Sequence, residues 1–241
     1  MGRTSPLLAR RLGALAVVVA AIVAYEVWHA SFPNLSRWGD VAWLGLVVVP
    51  LLLLLAYVGL PFRTARGLLP LAAALALLTF VFHRADVPTA ENVVKLGAVI
   101  AVGFWFLGYF ETVAWVALVA CIIPWVDIWS VQRGPTKTIT EHHGHVFSVL
   151  SVQLPFAGEH DAANIGLPDI LFFSLFLGAC ARFALRTRLT FATMCVSFAA
   201  TFALTVWQNL QGWAALPFLA IGFLLPNADL LWRRLRPRNP S

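Results

Sequence analysis

The stretch Thr112-Val-Ala-Trp-Val-Ala-Leu-Val-Ala-Cys-Ile-Ile-Pro-Trp-Val-Asp127-Ile-Trp-Ser-Val131 decides the fold. It is apolar over a length that, at about 1.5 Å per helical residue, crosses roughly 30 Å of hydrocarbon. Its single charge is Asp127. A carboxylate at membrane depth costs at least about 2.5 kcal/mol on insertion scales, so a span that keeps one needs a use for it. A second such stretch follows: Ile165-Gly-Leu-Pro-Asp169-Ile-Leu-Phe-Phe-Ser174 opens another apolar run and carries its own acid.

Working outward from these two, the whole chain reads as membrane-embedded. Of its 241 residues 60% are apolar and 12% charged, and the mean hydropathy is +0.82; soluble domains lie far below this. Apolar runs occur at Leu12 to His29, Val41 to Pro61, Gly67 to Phe82, Val93 to Phe110, Thr112 to Val131, Ile165 to Leu185, Leu189 to Trp207 and Gly212 to Trp232. The expected fold class is therefore all-α: a polytopic bundle of about eight transmembrane helices forming one membrane domain. Residues 1-110 form a scaffold and residues 111-232 the part that carries the acids. The first run follows Arg3, Arg10 and Arg11, as a signal peptide does, but it is long and lacks a small-x-small cleavage site, so it reads as a retained helix.

The formal charge of +6 is spread over segment ends and gives no basic domain for nucleic acid. It reports topology. With the N-terminus inside, twelve arginines lie on the inner side, leaving Arg37, Arg84, Lys95, Arg133 and Lys137 outside. The positive-inside rule then puts both termini in the cytoplasm, and the expected location is the plasma membrane of a prokaryote. Cys121, Cys180 and Cys195 fall in apolar runs without paired spacing and read as small core residues.

Most connections are short. The exception runs from Gln132 to Asn164, on the outside by this topology, and contains Glu141-His-His-Gly-His145 and Glu159-His-Asp161. Within it His145 to Phe156 is apolar with partial alternation, which suits a strand or an interfacial segment. An edge strand there could hold an unfolded substrate by strand addition. The histidines offer possible metal ligands, but no His-Glu-x-x-His occurs, and no metal is expected.

Asp127 lies about four residues before its run emerges and Asp169 about four after its run begins, so both sit some 6 Å below one surface. Antiparallel neighbours at matched depth let the carboxylates face each other and share a proton. One can then take a proton from water while the other polarises a peptide carbonyl. For Asp169 alone a structural reading also exists, because Pro168 and an acid both favour a first helical turn. Pro168 predicts that the helix begins at or one residue before it.

These residues resemble the presenilin and signal peptide peptidase family of intramembrane aspartyl proteases. Asp127 followed by Gly134-Pro135 is similar to the family's first catalytic helix. Gly166-Leu167-Pro168-Asp169 is similar to its Gly-x-Gly-Asp motif, and Ala214-Ala215-Leu216-Pro217 to its Pro-Ala-Leu motif. Order and spacing agree over about residues 105 to 232. Three positions depart from the pattern: Val126 stands for a Tyr, Pro168 for the second Gly and Ala214 for the Pro. The resemblance implies Asp127 and Asp169 as the catalytic pair, with Gly166, Leu167, Pro168, Ala215, Leu216 and Pro217 at the substrate. It implies no cofactor, and as partners a transmembrane peptide or protein substrate and the lipid bilayer. The cytoplasmic C-terminus matches the signal-peptide-peptidase type, which prefers helices inserted N-terminus inside. Pro217 is expected to free a carbonyl and let the wall beside the dyad rearrange.

Alternatives from the same residues are a catalytically silent homologue and a transporter using the two acids as a proton or cation relay. The absence of an inverted repeat disfavours the second. A prepilin-peptidase-like protease would lack the element at Ala214 to Pro217, and no serine-protease elbow is present.

Overall fold

The computed structural model describes residues 6–133, 149–210 and 213–235. Eight helical stretches appear there, one for each apolar run. They are α1 (Pro6–Trp28), α2 (Arg37–Phe62), α3 (Leu68–Arg84), α4 (Pro88–Phe106), α5 (Val113–Arg133), α6 (Leu167–Arg182), α7 (Thr187–Trp207) and α8 (Leu216–Leu224). After a 3-10 turn at Leu225–Asn227, α8 continues as Ala228–Leu235. Five of the eight, α1, α2, α4, α5 and α7, are long and apolar enough to cross a membrane.

Prolines and glycines set the boundaries. Pro88 opens α4, where its missing N–H is no loss, and Glu91 supplies the acid of the first turn. Gly67, at φ +100°, is the left-handed residue from which α3 departs. Pro50 lies inside the continuous helix α2, and the preceding turn, Leu44–Val48, widens to π geometry, which relieves the clash a proline ring makes with the carbonyl four residues back. Beside that turn α2 crosses α7 so closely that a Cβ on Gly45 would lie 2.6 Å from Ala199 Cβ. Lipid tails give helices no hydrophobic reason to associate, so close approach at small residues supplies the packing.

Helix α6 is the hub. Phe173, Leu175, Phe176, Leu177, Ala179 and Cys180 are all fully buried, as expected of a helix apolar on every face. α4 closes on it at Gly103, where a Cβ would meet Leu171 O at 2.8 Å, and α8 stacks Phe223 on Phe176 with centroids 4.8 Å apart. Around the ends of α6 and α4 arginines cap carbonyls. Arg63 donates to Ala181 O (3.3 Å), Arg182 to Leu107 O (2.8 Å), and Arg234 to Phe183 O. The charges read from sequence as topology markers thus also complement helix C-termini.

One element of the helical bundle is not helical. Between α5 and α6 lies an antiparallel hairpin of β1 (Ser151–Pro155) and β2 (Ala162–Gly166), with Ser151 opposite Gly166 and Pro155 opposite Ala162. Partial alternation had pointed to a strand in β1, but its partner was read as loop. Two further readings change. Lys95, counted as an outside charge, is 6% exposed and bonded inside the bundle. Cys121 is exposed, whereas Cys180 and Cys195 are buried; on a membrane helix the lipid-facing side is as apolar as the core, so composition does not separate them. The candidate ligands at Glu141, His142, His143 and His145 lie outside the described residues.

Candidate active site

Two short helices start at the same place. α6 begins at Leu167, one residue before Pro168, as that proline predicted, with Gly166 as an extended N-cap at φ −61°, ψ 141°. α8 begins at Leu216, with Pro217 also in its first turn. Before each, the backbone is not helical. Non-helical backbone among apolar helices needs partners or polar surroundings for its N–H and C=O groups. Here Gly166 and Ala214–Ala215 border a cavity of about 1140 Å³.

Both aspartates line that cavity. Asp169 is the third residue of α6, and its Oδ2 leans back over Gly166, where a Cβ would come within 3.1 Å of it. Asp127, six residues before the end of α5, accepts the N–H of Leu216 at 3.0 Å. Each carboxylate therefore sits at a helix start, where unpaired N–H groups and the helix dipole favour negative charge. The structural and chemical readings of these acids coexist. The helix starts hold the carboxylates in place, and the cavity gives them something to act on.

The other expected site residues distribute as follows. Gly166, Pro168, Ala215 and Pro217 line the cavity with the aspartates. Leu216 is buried and contributes its N–H to Asp127, and Leu167 is half-buried, donating its N–H to Leu150 O (3.0 Å). Pro217 does not do what sequence suggested. In the first turn of α8 its missing N–H removes no helical bond, so it frees no carbonyl there. Near the aspartates, a proline that does interrupt a ladder is Pro124, inside α5 and three residues before Asp127.

Three charged residues that sequence did not assign to the site also line the cavity. Arg37, counted only as an outside charge, opens α2 and donates to Asn209 Oδ1 at 2.9 Å. Asp40 also faces the cavity, and its Oδ1 is buried without a partner among the described residues. Glu159, in the hairpin turn, is the third. For Arg37 and Asp40 the only sequence signal was charge beside an apolar run, which is ordinary at span ends, and Glu159 stood out only as part of Glu159-His-Asp161.

The hairpin forms another wall. Its ladder joins Val152 to Ile165 and Leu154 to Ala163, extended by Leu167 N–H to Leu150 O and Phe156 N–H to Asp161 O, both 3.0 Å. The alternate backbone groups of β2, on Ala162, Asn164 and Gly166, therefore point away from β1. Those residues line the cavity, and among the described residues no third strand lies beyond them. Comparison with known families and with characterised proteins returns no match to this chain.

Proposed function

We propose that the chain is an intramembrane aspartyl protease of the presenilin and signal peptide peptidase type, with Asp127 and Asp169 as its catalytic pair. The observation that carries this reading is that two carboxylates, one in the first turn of α6 and one bonded to the first N–H of α8, line one cavity that also carries a strand edge. A helical substrate has its peptide bonds closed by internal hydrogen bonds in a solvent without water. Cleavage needs an unwound segment, water and an acid–base pair, and each has its counterpart here. The outward N–H and C=O groups of β2 can take an unwound strand by β-augmentation. The cavity can hold water beside the dyad.

With one proton shared between the carboxylates, the ionised one removes a proton from water as its oxygen attacks the scissile carbonyl. The protonated one donates to the carbonyl oxygen. The resulting tetrahedral diol collapses as its C–N bond breaks, the leaving nitrogen takes a proton, and a carboxyl and an amine terminus result. One water is consumed and no cofactor takes part.

Cleavage of a labelled type II transmembrane peptide, dependent on both aspartates, tests the proposal. Folded protein that leaves the peptide intact would falsify it. Aspartate-dependent proton or cation flux in vesicles, in place of cleavage, would establish the transporter alternative. Orientation is tested separately, with Cys121, Cys180 and Cys195 first replaced. A cysteine at Thr138 should react with an impermeant thiol reagent from outside, and one at Asn239 only after the cells are opened. The reverse pattern would invert the expected substrate direction.

A further inference from the structure

The hairpin has two edges, and the bundle treats them differently. On the outer edge of β1 the backbone is engaged by side chains from α1 and α4. The Tyr25 hydroxyl donates to Pro155 O at 2.7 Å, and Lys95 Nζ donates to Ser151 O at 3.2 Å. Between them Asn92 makes a pair of bonds to a single residue: Nδ2 donates to Gln153 O (2.8 Å) while Oδ1 accepts Gln153 N–H (2.9 Å). A residue of a third strand would present the same donor and acceptor. Pro155 has no N–H to satisfy, which suits it to an edge.

Asn92 is itself fixed. Its second Nδ2 hydrogen goes to Glu26 Oε1 at 2.6 Å, and both residues are buried. Both amide hydrogens and the amide oxygen of Asn92 are thus used, with bonds reaching α1 on one side and β1 on the other.

A lone two-stranded hairpin is marginal, and a strand's register decides which face each side chain takes. Asp169 lies only three residues beyond Gly166, the last residue of β2. Whatever fixes the hairpin therefore fixes where a strand laid on β2 passes the dyad; a slip of two residues would move it by about 7 Å.

We propose that Asn92 is a positioning residue: standing in for a third strand on β1, it sets the register of the hairpin, leaves β2 as the edge open to substrate, and so selects the peptide bond that reaches the carboxylates. The inference rests on the protease reading and adds to it a determinant of cleavage position outside the cavity.

The test compares full-length wild type, Asn92→Ala, Asn92→Asp and Asn227→Ala in lipid nanodiscs. Each is given the labelled type II peptide, and products are identified by mass. Asn227 is a matched control: a fully buried asparagine toward the far end of α8, bonded to Thr190 Oγ1 and Phe223 O at 2.8 Å. Asn92→Ala should lower kcat/KM roughly tenfold, chiefly through KM, and add products cut at neighbouring bonds. Asn92→Asp keeps an acceptor for the Gln153 N–H but loses the hydrogens donated to Gln153 O and Glu26 and sets a second carboxyl against Glu26, so it should be impaired at least as much as Asn92→Ala. Asn227→Ala should lose stability and keep one product.

Amide exchange over residues 151–166 should quicken in Asn92→Ala and stay slow in Asn227→Ala. A folded Asn92→Ala with wild-type KM and a single product overturns the proposal, as does an equal spread of products from Asn227→Ala. If the wild type fails to cleave while folded, the protease reading falls by itself. Exchange then decides the hairpin's dependence on Asn92: unchanged exchange in Asn92→Ala overturns it.

Discussion

The two edges of one hairpin border two polar sites with opposite characters. On the β1 side Glu26, Asn92 and Lys95 are buried with partners on every side: Asn92 on Glu26 and Gln153, Lys95 on Ser151 O and on Glu91 at 2.9 Å. On the β2 side Asp127 and Asp169 face a cavity, with the unpartnered Asp40 Oδ1 on its wall. Both sites place carboxylates within apolar helices, so rarity alone does not separate them. What separates them is satisfaction. A buried network whose groups are all bonded stiffens the structure around it, whereas acids beside open space can bind and turn over something that enters.

This contrast predicts opposite consequences for removing an acid. Replacing Asp127 or Asp169 by Ala should abolish cleavage, a loss of at least about a thousandfold. Asp169→Asn should change stability in detergent by under about 1 kcal/mol, the scale of a helix-terminus charge. Thermal unfolding and peptide cleavage measured on one preparation check the pair. A large loss of stability with activity retained would place the aspartates with the structural network instead.

Glu26→Ala should behave the other way. It leaves one Asn92 donor without its partner in a buried setting, at a cost of roughly 1–3 kcal/mol, while protein that remains folded should still cleave in an Asp169-dependent way. Glu26→Gln keeps an acceptor for Asn92 and should cost less than Glu26→Ala. If it instead removed activity at unchanged stability, Glu26 would belong to the chemistry and the contrast would break.

The smallest effect is expected at Gly166. Its φ of −61° suits alanine, so Gly166→Ala should leave stability nearly unchanged. The new Cβ would press on Asp169 Oδ2 at 3.1 Å and should lower kcat a few-fold by displacing the carboxylate a few tenths of an ångström. Wild-type kcat in this variant would mean that the dyad tolerates more movement than its packing suggests.

How far each feature could be read from sequence follows from how local its cause is. The eight helices are local: a run of apolar residues, opened by Gly67 or Pro88, specifies a helix whatever surrounds it. The start of α6 was legible because Pro168 accepts few positions in a helix. Asp127 and Asp169 stood out because an acid in such a run is rare, and the structure places both on one cavity. Pro217 was misread because a proline's effect depends on whether it falls in the first turn or the interior, a shift of a few residues that apolar content does not resolve.

The sequence by itself determined the apolar helices, their order and the two acids to examine, since apolar length and the cost of a buried charge act on each segment alone. Only the tertiary structure decided which polar residues were satisfied. Asn92 meets Gln153 across 61 positions and Glu26 across 66, and Leu216 reaches Asp127 across 89. No local pattern encodes such partners, because a hydrogen bond depends on distances of about 3 Å between groups that only the packing of the helices brings together.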